Sequence, residues 1–188
     1  MNNVNWQILE QQWPQFVLKI EALLKQLDLW PLQYQIDHVA LRTNQPEATQ
    51  ALWQQAHAQG AQLLSDTMVN GRPIYVFKST QSWSLLNQDV KVIEMPFPGE
   101  KQYFHQGWEH IEIVLPAQVN AVADFKKTIQ KQLPNLLSQA QKIEAEIKWS
   151  MPQAAGEQLA NPTIAIKKNG VCIKLHPIAL EHIVSHHA

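Results

Sequence analysis

Ile36-Asp37-His38-Val39-Ala40-Leu41-Arg42 is the run from which the fold follows. It reads as a strand, with Ile36, His38, Ala40 and Arg42 on one face and Asp37, Val39 and Leu41 on the other, because side chains alternate along a strand. Strand formation alone does not call for a histidine there. A second stretch, Glu109-His110-Ile111-Glu112-Ile113-Val114, echoes the first. Two more strand-like runs end in a polar group beside a proline: Val92-Ile93-Glu94-Met95-Pro96 and Ile173-Lys174-Leu175-His176-Pro177. These four runs are expected to line one concave surface and to hold one metal ion.

Working outward, Asn44-Gln45-Pro46-Glu47 is a helix-start signal, and the helix is expected to run to Gln59 with Gly60 ending it. Residues 61–69 read as a strand, Asn70-Gly71 as a two-residue hairpin turn, 72–78 as the returning strand, 80–87 as a loop and 89–95 as a further strand. Residues 96–107 carry Pro96, Pro98, Gly99 and Gly107 and read as a linker. The same order then returns. A strand at 109–115 precedes a helix with Val119, Val122, Phe125 and Ile129 at helical spacing. Pro134 interrupts that helix, and a second short one reaches 142. Strands follow at 143–151, 163–168 and 171–176, the last two joined by Asn169-Gly170; 152–161 is a loop, and 178 onward a short helix or tail. Ahead of all this, 4–28 is helical, with Phe16, Ile20, Leu23, Leu24 and Leu27 on one face and Pro14 starting or kinking it. The expected fold is α+β: two βαβββ modules forming a curved mixed sheet, with an N-terminal helical extension. The expected boundaries are 1–32, 33–98 and 99–188, packed as one compact domain.

Fifteen basic against 16 acidic side chains in 188 residues give no reason to expect nucleic acid or a charged membrane as partner. No apolar run approaches the ~20 residues that span a bilayer, and Met1-Asn2-Asn3-Val4-Asn5 does not open like a signal peptide. Cys172 is the only cysteine, which excludes an internal disulfide and a multi-cysteine zinc site and fits a cytoplasmic protein. The expected partner is a small-molecule ligand or substrate, and the expected state a monomer or homodimer.

His38 and His110 open the two modules; Glu94 and His176 close them. These spacings are too long for a local metal motif and suit a site assembled from four strands. Here the chain resembles the vicinal oxygen chelate superfamily, which includes glyoxalase I and extradiol dioxygenases, and more narrowly the YecM family, whose assigned role goes no further than metal binding. The resemblance covers nearly the whole chain, with the leading helices as an extension. It implies ligands from the first and last strand of each module: His38, Glu94 and His110 match the first three positions. At the fourth, where the superfamily often has glutamate, this chain has Lys174, a protonated side chain with no lone pair to give. His176 lies about 7 Å further along the same face and supplies the ligand if the strand is shifted; otherwise three ligands remain. Two imidazoles and a carboxylate suit one Fe, Mn, Zn or Ni ion. Such an ion would polarise a small oxygenated substrate for isomerase, lyase or dioxygenase chemistry, with Glu112 and Lys174 as candidates for orienting ligands or handling a proton.

Plainer roles stand beside these. His38 and His110 could be buried structural histidines, Glu94 a solvated edge residue, and His176 an ordinary strand exit. Arg42 could bind an anionic substrate or form a salt bridge, and Glu112 and Lys174 could simply pair. Cys172 faces the pocket by parity but reads as inert packing. Trp108 and Trp149 could wall a pocket or fill the core. His186-His187 reads as a polar tail. The alternative function is a metal-independent protein that binds or sequesters a small molecule on the same fold.

Overall fold

The structure is a computed structural model that describes residues 4–69, 71–152 and 159–185. His186 and His187 lie outside the described residues, as does Asn70.

Helix α1, Trp6–Gln26, leads the chain; Asn5 caps it by accepting the Ile8 N–H at 2.9 Å. Pro14 sits inside it, in its third turn. The first βαβββ unit is β1 (Ile36–Arg42), α2 (Pro46–Ala58), β2 (Gln62–Ser65), β4 (Arg72–Leu85) and β5 (Gln88–Pro96), with a two-residue strand β3 (Met68–Val69) paired to β4. The second is β6 (Gly107–Val114), α3 (Val122–Gln132), α4 (Leu136–Lys142), β7 (Glu146–Ser150), β8 (Thr163–Lys168) and β9 (Val171–His176). Helix α5, Leu180–Ser185, follows.

The strands join in the order β2-β4-β5-β1-β6-β9-β8-β7. Each unit pairs its first and last strands in parallel, and the two units meet through the antiparallel β1–β6 pair. The result is a large, curved, unclosed mixed sheet. Four helices cover one face. Leu24 of α1, Leu52 of α2, Phe125 of α3 and Leu136 of α4 are buried against Val39, Ile93, Ile111 and Ile173, at about 1.5–3 kcal/mol for each large apolar side chain. Trp13, Trp83 and Trp108 cluster there too, with Trp83 and Trp108 ring centres 4.6 Å apart, and Trp108 donates to the Leu9 carbonyl. Trp108 therefore belongs to the helix-covered face. Trp149 alternates with cleft-facing Lys148 and Ser150 and packs against the same core. Neither tryptophan walls the cleft.

The structure corrects three sequence expectations. Residues 80–87 are not a loop: β4 runs on to Leu85, and a two-residue turn at Leu86-Asn87 joins it to β5. Both turn residues have positive φ, 53° and 65°. Leucine is no signal for that conformation, so the hairpin was invisible, unlike the one at Asn169-Gly170. The strand expected at 61–69 is split into β2 and β3. Alternation also fails at the start of β1. Ile36 pairs with Ile113 and His38 with Glu112, so Asp37 is an extra residue, a bulge that turns it to the same side as His38.

Candidate metal centre

The opposite face, which α1–α4 leave uncovered and α5 borders, carries the polar residues. Register alone sets them in rows. One row crosses the sheet as Lys167, Cys172, His110, Ala40 and Glu94; the next as Lys148, Ala165, Lys174, Glu112 and His38. Ala165 lines the cleft and leaves its floor open where a larger side chain would fill it. The sheet's curvature brings the tips together. His38 Nε2 lies 3.6 Å from Glu94 Oε2 and 3.5 Å from Glu112 Oε1. His110 Nε2 lies 3.2 Å from Glu112 Oε1 and 3.9 Å from Glu94 Oε1. One donor atom from each of His38, Glu94, His110 and Glu112 falls within 4.8 Å of every other.

The structure thus brings His38, Glu94 and His110 together, with Glu112 beside them. His176 is fully buried in an adjoining group with Asp37 and His38; its Nε2 is 3.5 Å from Asp37 Oδ2 and 3.5 Å from Glu112 Oε2. Lys174 also points inward, its Nζ donating to Glu112 Oε1 at 2.6 Å. Arg42 pairs with Glu109 and stacks on Tyr103. Cys172 is buried.

Two residues that sequence reasoning left out set the imidazoles. Asp37 Oδ2 accepts from His38 Nδ1 at 2.8 Å and from the Leu180 N–H at 2.9 Å. His176 Nδ1 lies 2.7 Å from the Ile178 carbonyl, and Asn161 braces the same turn, donating to that carbonyl and accepting the Ile178 N–H. With each Nδ1 donating outward, each Nε2 faces the cleft, and both Nε2 atoms are buried without a hydrogen-bond partner. Asp37 was hidden by the bulge. Asn161 stands before Pro162 and signalled only a turn.

The electrostatics are uneven. Burial works against charge on Glu94, but the Lys174 ammonium and the His38 bond outweigh it and lower its pKa to about 2. The Glu112 carboxyl, buried too, is held well below the usual range by Lys174 and His38. Burial opposes a charged His38, yet Glu112, Asp37 and Glu94 raise its pKa well above 6.5. His110 goes the other way: burial and the Lys174 ammonium bring it to about 4. Burial pushes the Cys172 thiol up to about 11, which leaves it unreactive.

Fold and cluster together define a protein of two joined βαβββ units with a buried histidine–carboxylate centre in the cleft of its sheet. The chain belongs to the YecM protein family, whose profile matches residues 5–187. It is 35% identical over 188 residues to Protein YecM of Escherichia coli K12, covering 96% of each chain. It is also 34% identical over 172 residues to an uncharacterised protein of Haemophilus influenzae, covering 88% of this chain and 86% of the other. A solved structural-genomics structure, Protein EC4020, superposes with a TM-score of 0.76 at 32% identity, over 100% of this chain and 99% of that one.

Proposed function

We propose that the cleft holds one divalent metal ion, of the Fe, Mn, Zn or Ni class, in the manner of vicinal oxygen chelate proteins. His38, Glu94 and His110 would hold it, with Glu112 or His176 as the fourth donor. The reading is carried by His38 Nε2, buried without a hydrogen-bond partner, which faces two carboxylates while its Nδ1 is held by a third; a bound ion would take the place of the proton that those carboxylates hold on Nε2. Neutral imidazole and carboxylate are the donor types such ions take. When bound, the ion supplies Lewis acidity to an oxygen of a small oxygenated substrate. The chain's own residues do the rest. Asp37 orients His38, Asn161 braces the turn that seats His176, and Lys174 both neutralises Glu112 and stands ready to bond a substrate oxygen. Inward apolar side chains of α5 shield this from water.

The test is elemental analysis of untagged protein, stripped and then dialysed against each ion. One equivalent is expected in the wild type and none in His38→Ala or His110→Ala, with circular dichroism unchanged. Loss in Glu112→Ala but not His176→Ala, or the reverse, assigns the fourth donor. One observation favours the second reading, metal-independent binding of a small molecule: Lys174 already places a cation 2.6 Å from Glu112. Failure of every ion to bind would leave that reading standing and sink the first.

A further inference from the structure

The cleft has a second lobe whose cations, Lys174 aside, the metal reading does not use. The inner lobe, about 270 Å³, holds His38, Glu112 and His176 against the apolar walls Ile74, Val76 and Leu180. Past Arg72, Glu94, Lys148, Ala165 and Lys174, which line both, an outer lobe of about 320 Å³ opens along β7, β8 and the 97–103 loop. Its charge is lopsided. Arg42, Arg72, Lys101, Lys148, Lys167 and Lys174 line it, against the carboxylates of Glu94, Glu109 and Glu146. That is a marked excess in a chain whose net charge is −1.

Two of the cations are already satisfied. Arg42 pairs with Glu109, and Lys174 with Glu112. Arg72, Lys148 and Lys167 have no ion pair among the described residues. They are also not scattered over a convex surface. Lys148 and Lys174 flank Ala165 across three adjacent strands, and Lys167 is the next residue on that face of β8. Glu146 stands directly opposite Lys167 and offsets part of this charge, but the cations lining the lobe still outnumber the carboxylates, and a bound anion would offset the repulsion that remains. The single methyl of Ala165 leaves the floor between them open.

We propose that the outer lobe is an anion subsite for a dianionic phosphoryl group among Arg72, Lys148 and Lys167, placing the oxygenated carbon end of the same molecule at the His38–Glu94–His110 cluster. The substrate class is then a small phosphorylated, oxygen-rich molecule with an apolar flank for the inner lobe. This rests on the cluster being the ligand-binding centre proposed above. Several unpaired cations suit a dianion better than a single carboxylate, so inorganic phosphate is the probe and acetate its comparison.

The test is calorimetric titration of the full chain with phosphate at low ionic strength, in metal-stripped and metal-loaded forms. Saturable binding of one phosphate per chain is expected in both forms, tighter than acetate. It should be weakened about tenfold or more in the Lys148→Gln/Lys167→Gln double variant and reduced by added salt. An Ala165→Glu variant, which sets a carboxylate among the lysines, should abolish it. Circular dichroism checks the fold of each variant. Phosphate affinity unchanged in the double variant, acetate bound as tightly, or no saturable binding would overturn the proposal. Metal uptake measured on the same samples separates the two readings. Phosphate binding without metal uptake leaves the subsite and removes the metal; metal uptake without phosphate binding does the reverse.

Discussion

Asp37 shows how much one residue position carries. Its buried carboxylate holds both the His38 ring and the start of α5. Burial alone would raise its pKa, but the His38 bond and charge, with His176 nearby, outweigh that and leave it lowered. Asp37→Ala removes the charge and both accepted bonds. Stability should fall by about 1–3 kcal/mol in urea unfolding, since a buried donor loses its partner. Divalent-ion affinity should fall about 10–100-fold, the usual cost of losing the partner that orients a ligating histidine. Unchanged affinity with reduced stability would make Asp37 structural only. At this scale His38, Glu94, His110 and Lys174 were legible, because residue types that do not suit a strand mark themselves. Asp37 and Asn161 were not, because polar residues beside a strand start or a proline have ordinary explanations.

Elements impose demands of their own, and the entrance to β6 is the tightest. Gly107 has φ +115° and pairs with Arg42 at the end of β1. A Cβ there would run into the Gln12 side chain of α1. Gly107→Ala should therefore cost about 1–3 kcal/mol, read as a lower melting temperature. Adding Gln12→Ala should recover only the steric part, because the backbone strain stays. Full recovery in the double variant would show that packing alone was at stake. The helices and the Asn169-Gly170 hairpin followed from periodicity and turn chemistry. The Leu86-Asn87 hairpin did not, since tertiary packing of Trp83 and Leu85 into the core holds a leucine where local preference would not.

The whole molecule feels the cluster through pH. In metal-stripped protein His110 titrates near 4 instead of 6.5, so the unfolded chain binds more protons between those values and stability drops as pH falls from 6.5 to 4. Glu94, near 2 instead of 4.5, extends the loss from pH 4.5 to 2. His38 has the opposite sign: raised above 6.5, it contributes fully below that pH and its contribution fades as pH climbs through its folded value. The urea midpoint should thus be highest near pH 6.5. It should lose on the order of 1–3 kcal/mol across the 6.5 to 4 limb, and His110→Ala should flatten that limb. A limb untouched by that substitution would count against a buried neutral His110. At the same scale, no helix among the described residues is long and apolar enough to cross a membrane. Local pattern suffices for the repeated βαβββ order and for the strands that carry each polar group, because strand period, turn residues and helix periodicity are properties of neighbouring residues. Which donor atoms meet depends on the folded chain. The bulge at Asp37, the curvature over Ala165 and the pairing of Lys174 with Glu112 arise from contacts between strands far apart in the chain, which no local pattern encodes.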